Sequence, residues 1–87
     1  MYQPTISIIT VVYNNASLLD LTMQSIFKQD YFNIEYIIVD GNSTDGTVNL
    51  IQKQEGKIAK WISEPDNGLY DAMNKGIDLA IGDYIWF

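Results

Sequence analysis

The sequence holds no cysteine, no histidine and no arginine in its 87 residues. Without cysteine there are no disulfide staples, thiolate nucleophiles or thiolate zinc sites, and without histidine there is no imidazole base. Five Lys face eight Asp and three Glu, for a net charge of -6. A phosphate backbone binds by releasing counterions to a basic surface, so nucleic acid is not an expected partner. Long hydrophobic runs are also missing: nothing approaches the ~18 apolar residues needed to span a bilayer. The start, Met1-Tyr2-Gln3-Pro4, has neither the basic region nor the apolar stretch of a signal peptide, which makes the cytosol the expected compartment. Chemistry is left to carboxylates, hydroxyls, amides and lysine.

What is present is a folding chain: 47% of residues are hydrophobic and 18% charged, outside the range of disordered tails and coiled coils. One small domain over residues 1–87 is the expectation. A chain this short buries only about 60–65% of the surface its unfolded form exposes, so its stability on its own is marginal.

Thr5 to Val12 (TISIITVV) is a nearly unbroken β-branched run, as expected of a strand covered on both faces. Leu19, Met23, Ile26 and Phe27 then mark one face of a helix ending near Asp30. Glu35 to Asp40 (EYIIVD) predicts a second buried strand, and Gly41 to Gly46 (GNSTDG) a turn. A short helix follows from Thr47 to about Lys53, with Val48 and Ile51 inward. Ile58 to Ser63 predicts a third strand nearer an edge, and Glu64 to Gly68 (EPDNG) a loop. Leu69, Ala72, Met73, Gly76, Ile77 and Ala80 recur at helical spacing, with Asp71 and Lys75 paired at i, i+4. Gly82 is placed to end that helix in a left-handed cap, and Asp83 to Phe87 (DYIWF) begins a fourth strand.

The order β-α-β-α-β-α-β calls for right-handed crossovers and a Rossmann-like parallel α/β sheet with flanking helices. It breaks off at the fourth strand, with Ile85, Trp86 and Phe87 at its end. The expectation is the front portion of a longer domain.

In such sheets ligands collect beyond the carboxyl ends of the strands. Those ends carry Tyr13, Asn14 and Asn15, then Asp40 and Gly41, then Glu64, Pro65, Asp66, Asn67 and Gly68, which makes Asp66 and Gly68 substrate-binding candidates. An Asp leaving a buried strand either accepts hydrogen bonds from a ligand or caps its own turn, and for Asp40 both readings stand. A dinucleotide-binding unit needs G-x-G-x-x-G after its first strand, whereas Tyr13 to Ser17 (YNNAS) has no glycine; a P-loop is excluded on the same ground. A diphosphate here would need a divalent cation on carboxylates, or groups beyond Phe87, to neutralise it. Asp45 and Gly46 have the residue types of a tight strand-to-helix turn, and Trp61 reads as core rather than as an acceptor platform.

The runs SIITVVYNN from Ser7, SIFKQ from Ser25, IVDGNSTDGT from Ile38 and SEPDNGLYDAMNKGI from Ser63, with GDYIWF from Gly82, resemble the opening of the inverting glycosyltransferases of family 2, which have the GT-A fold. The downstream run from Ser63, with GDYIWF, is similar to members that build bacterial surface polysaccharides. The resemblance implies transfer of a sugar from a nucleotide diphosphate donor, often a uridine nucleotide, to a glycan or lipid-linked acceptor at the cytoplasmic face of the membrane. It implies that Val11 and Tyr13 frame the base, that Asp40 accepts the uracil N3–H, and that Asp71 and Asn74 lie near the donor pocket. Beside this stand plainer readings: Asp71 favours a helix N-terminus and pairs with Lys75, and Asn74 is solvated. The metal (Mn2+ or Mg2+) and the catalytic base are implied to be held beyond Phe87, leaving no catalytic residue or metal ligand within the chain, which by itself would be silent. The alternative is a non-catalytic nucleotide-binding α/β module.

Overall fold

The computed structural model describes residues 3–87, so Met1 and Tyr2 of the expected 1–87 domain, and with them half of the Met1–Pro4 start, lie outside the described residues. Four strands, β1 (Ile6–Val12), β2 (Ile34–Asp40), β3 (Lys60–Ser63) and β4 (Tyr84–Trp86), alternate with three helices, α1 (Ala16–Phe27), α2 (Thr47–Lys53) and α3 (Leu69–Leu79). All strand pairs are parallel and the order is β3-β2-β1-β4. The two most apolar runs therefore lie in the middle, and β3 is an edge as its weaker apolar content predicts. No described helix is long and apolar enough to cross a membrane.

Side chains alternate between the faces of β2, and each face has its own core. Tyr36 and Ile38 pack with Leu19 and Met23 of α1 and Ile51 of α2. Ile37 and Val39 pack with Ile9 of β1 and Ala72 of α3. Full burial of each such aliphatic side chain contributes about 1.5–3 kcal/mol. Helix α3 approaches β1 so closely that a Cβ at Gly76 would stand 2.5 Å from Ile9 Cγ2. That glycine in the helical stripe serves contact with the sheet.

Three boundaries differ from the sequence-based expectation. Helix α1 ends at Phe27, where Lys28 turns its N–H to Ile26 O, short of Asp30. A 3₁₀ turn over Glu55–Lys57 delivers Ile58 into the α1/α2 core, so β3 begins at Lys60. The partly buried Trp61 packs on the same core and donates from Nε1 to Glu55 Oε1 at 3.0 Å. Gly82 is not a left-handed cap: α3 stops two residues earlier at Ala80, in extended backbone, and the positive-φ glycines are Gly46 and Gly68. Gly82 instead lies against β1, where a Cβ would fall 2.4 Å from Ser7 Oγ and 2.9 Å from Ser7 N.

At the amino ends of the strands a buried carboxylate joins four elements. Glu35 Oε1 accepts from Ser7 Oγ at 2.7 Å and from the Ile81 N–H at 2.9 Å, and Oε2 meets Lys60 Nζ at 3.0 Å. Lys60 Nζ also donates to Leu79 O at 2.6 Å, and Ser7 Oγ accepts from the Gly82 N–H at 2.9 Å. Burial by itself raises the Glu35 carboxyl; the hydrogen bonds from Ile81, Ser7 and Lys60, with the Lys60 charge, outweigh it and hold its pKa below the ordinary value of 4.5. A depressed folded-state pKa means the stabilisation is complete above that ordinary value and is lost as pH falls through the lower folded one.

Glu35→Ala is therefore expected to cost about 2–4 kcal/mol at neutral pH, since it leaves the Ile81 N–H without its acceptor and Lys60 without its counter-charge. In urea titrations the gap between parent and variant should narrow as the pH drops below 4.5; a gap that is constant with pH would show that the Glu35 charge contributes nothing. Gly76→Ala should lose about 1–3 kcal/mol by forcing α3 off Ile9, and an unchanged denaturation midpoint would contradict that packing.

Candidate functional site

Parallel register brings the carboxyl ends of β1, β2 and β3 level: Val12 pairs with Asp40, and Asp40 with Ser63. The strand order reverses at β1, because α3 carries the chain from β3 back across the sheet to β4. This is the switch point at which parallel sheets leave a crevice. A cleft of about 320 Å³ opens there, lined by Val11, Val12, Tyr13, Asp66, Gly68, Leu69 and Ala72. A second, of about 310 Å³, is lined by Tyr13, Gly41, Asn42, Pro65 and Asp66. Tyr13 and Asp66 line both, and the tyrosine is 64% exposed.

The loops around the clefts are tied to one another. The Gly41 N–H donates to Val12 O at 2.9 Å, adding a rung to the sheet. Asn14 has φ +48, a left-handed conformation that asparagine tolerates. Its N–H donates to Ser43 Oγ at 2.8 Å and its Oδ1 accepts from the Thr44 N–H at 2.7 Å. Asp45 accepts from the Thr47 hydroxyl, from the Thr47 N–H at 3.0 Å and from the Ala16 N–H at 3.3 Å. The Thr47 hydroxyl is the main cause of an Asp45 carboxyl pKa below the usual aspartate value. Its expected turn role fits this geometry, as does Gly46 with φ +97.

Asp40 takes one of its two expected directions. The sequence allowed it to project into the crevice, but its side chain is fully buried and turned into its own loop. Oδ2 accepts from the Asn42 N–H at 3.1 Å, the Ser43 N–H at 2.9 Å and Ser63 Oγ at 2.7 Å, while Oδ1 accepts from Ser43 Oγ at 2.5 Å. Four donors on one carboxylate leave little capacity for a ligand, so the turn-capping alternative describes the geometry. A serine three residues after a strand-terminal Asp is the signal that points to it.

Val11, Tyr13, Asp66 and Gly68 are brought together at the first cleft. Asp66 Oδ1 accepts from the Gly68 N–H at 3.1 Å, and Oδ2 accepts no hydrogen bond from the described residues. Asp71 is turned toward the loop: Oδ2 accepts from the Asn67 N–H at 2.8 Å and lies 3.7 Å from Lys75 Nζ. Lys75 also reaches Pro65 O at 2.7 Å and Glu64 Oε1 at 3.2 Å, clamping the segment that carries Asp66. Asn74 is exposed and lines neither cleft. Leu69 and Ala72, expected only as part of the inward helical stripe, also form cleft wall because the stripe extends past the sheet's edge. Among the described residues no group of three or more acids stands close enough together to hold a metal ion.

The family model described as Glycosyl transferase family 2 matches residues 7–87. An uncharacterized glycosyltransferase of Mycobacterium tuberculosis (strain ATCC 25618 / H37Rv) is 46% identical over 85 residues, covering 97% of this chain and 32% of the relative. A PGL/p-HBAD biosynthesis glycosyltransferase of Mycobacterium bovis (strain BCG / Pasteur 1173P2) is 38% identical over 90 residues, covering 100% of this chain and 35% of its own length. The solved structure of mannosyltransferase PcManGT from Pyrobaculum calidifontis, in complex with GDP-Man and Mn2+, matches with TM-score 0.87 at 28% identity, over 97% of this chain and 26% of that one. S. aureus TarS 1-349, at 24% identity and TM-score 0.81 over 93% of this chain and 26% of that one, shares the fold. The expected α/β sheet of GT-A type is thus borne out, and the chain spans about a third of the length of the curated relatives it matches.

Asp40→Ala is expected to cost about 3 kcal/mol, because it orphans two N–H groups and two hydroxyls at a buried site, and Asp40→Asn about 1 kcal/mol. Denaturant titration measures both. An Asp40→Asn protein of parental stability that had lost nucleotide binding would return the carboxylate to a ligand role.

Proposed function

The chain belongs to glycosyl transferase family 2, and from that premise we propose that it forms the donor-binding part of a hexosyltransferase. The donor is a nucleotide diphosphate sugar, uridine-linked, and the acceptor a hydroxyl of a glycan or lipid-linked glycan at the inner face of the membrane. Transfer inverts the anomeric carbon: the acceptor oxygen gives its proton to the catalytic base and bonds to that carbon from one side as the bond to the diphosphate breaks on the other, and the diphosphate leaves with the electron pair. This chain's residues act on the far end of the donor. The exposed Tyr13 ring packs against the base, Val11, Leu69 and Ala72 exclude water beneath it, and Asp66 Oδ2 accepts its imino N–H. Gly68 lets the loop backbone turn at φ +107 so that its N–H fixes the other Asp66 oxygen. Asp71 and Asn74 contribute at one remove, Asp71 by fixing the loop and Asn74 at the open rim of α3.

The observation that carries this reading is the half-exposed Asp66 carboxylate, with one oxygen unpartnered, beside an exposed tyrosine at the switch point of the sheet. The metal and the catalytic base belong, in this reading, to the two-thirds of the relatives' length that the chain does not span. The similar mannosyltransferase was solved with GDP-Man and Mn2+, which supports a divalent cation in the whole enzyme. A non-catalytic nucleotide-binding module is the second reading. It is favoured by a cleft built entirely from the first three β-α units.

Calorimetric titration with UDP tests the proposal. The chain should bind UDP, and Tyr13→Ala should weaken binding about three- to tenfold, the value of an aromatic contact. No sugar transfer should be detectable with the 87-residue chain alone. Absence of UDP binding would sink both readings. Tight binding that Mn2+ does not alter, in a longer chain that also transfers nothing, would favour the module.

A further inference from the structure

Gly41 is the first residue beyond β2, and its N–H is fixed to Val12 O at 2.9 Å. A left-handed backbone does not call for glycine here, since the positive-φ glycines are Gly46 and Gly68. What the glycine supplies is room. A Cβ there would stand 2.9 Å from Asp66 Oδ2 and 3.4 Å from Tyr13 Cδ1. The second distance is ordinary contact, whereas the first lies inside it, so with any side chain at 41 the carboxylate has to withdraw. The two clefts meet at Tyr13 and Asp66, and Gly41 lies at that junction.

The geometry points to Gly41 as a specificity-determining residue: by lacking a side chain it seats the Asp66 carboxylate against the end of β2 beside Tyr13, so that Asp66 and not Asp40 reads the edge of the base. This rests on the reading of Tyr13 and Asp66 as base contacts. A carboxylate only accepts hydrogen bonds, so the site selects bases that present an imino N–H, as uracil and guanine do. It rejects cytosine, whose ring nitrogen at the same place is itself an acceptor and would face a negative oxygen. Oδ1 is held by the Gly68 N–H at 3.1 Å, which fixes the carboxylate plane and leaves Oδ2 to make the discriminating contact. Asp40, next in the chain, cannot substitute, because its oxygens already take four donors.

The test titrates UDP and CDP into the full chain by calorimetry, with thermal midpoints recorded for the parent, Gly41→Ala, Asp66→Asn and the double variant. The parent should prefer UDP by about tenfold or more, the value of one charge-assisted hydrogen bond. Gly41→Ala should keep the parental midpoint within a few degrees and lose about tenfold for UDP with little change for CDP. Adding Asp66→Asn to it should cost nothing further, because both changes remove one contact. Parental UDP binding by Gly41→Ala, with Asp66→Asn weakened, would overturn the role of Gly41 and leave the base contact standing. Equal losses for UDP and CDP with a lowered midpoint would also overturn it, as general damage. An Asp66→Asn variant that binds like the parent would overturn this inference and the base contact together.

Discussion

The Asp40 carboxylate accepts from two backbone N–H groups of its own loop, from Ser43 within that loop and from Ser63 on the neighbouring strand. Through Ser43 Oγ the tie continues to the Asn14 N–H beyond β1. One buried acid thereby fixes the loops after the two central strands and the end of the edge strand relative to each other. The walls of both clefts depend on it: Tyr13 precedes Asn14, Gly41 follows Asp40, and the segment bearing Asp66 leaves from Ser63. Its contribution to the cleft walls is rigidity.

Strand β2 carries a second buried acid near its other end. Glu35 joins Ser7 of β1, Lys60 of β3 and the Ile81 N–H of the segment leading into β4. A chain with eleven acids and no arginine has few cations with which to neutralise buried carboxylates. It satisfies them largely with hydroxyls and main-chain N–H groups, which serve well because a carboxylate fully supplied with donors tolerates burial. The acids with spare acceptor capacity are then the surface ones, and Asp66 is the one that sits where the strand order reverses.

Much of the architecture was legible because burial leaves a periodic trace. The β-branched run of β1 and the three- and four-residue recurrence of α3 each require a covered face, and both elements formed where that pattern lies. Composition also placed β3 at an edge. What stayed hidden was direction and partnership. A strand-terminal aspartate looks the same whether it faces a crevice or its own turn, and only Ser43 and Ser63, one local and one brought by register, decide it for Asp40. Glu35 opened an apolar run as an ordinary polar boundary residue, and its burial depends on Lys60 and Ile81, distant in sequence. Gly82 reads as a helix stop in the local pattern, but its lack of a side chain serves contact with Ser7, a partner more than seventy residues away. Gly41 was visible as a strand-end residue of a turn-rich string but not as a spacer, since the atom it makes room for belongs to a loop that follows another strand.

The pairing of β4 with β1 has a bearing on synthesis. The last strand of the chain lies beside the first, and the Thr5 N–H reaches Asp83 Oδ2 at 2.9 Å across nearly the whole sequence. As the chain emerges from the ribosome, β1 gains β2 on one side early, while its other edge stays bare until α2, β3 and α3 have been made. The sheet therefore cannot close vectorially from the first residue onward. It waits for β4, and during that interval the nascent chain exposes an apolar edge of the kind that chaperones bind.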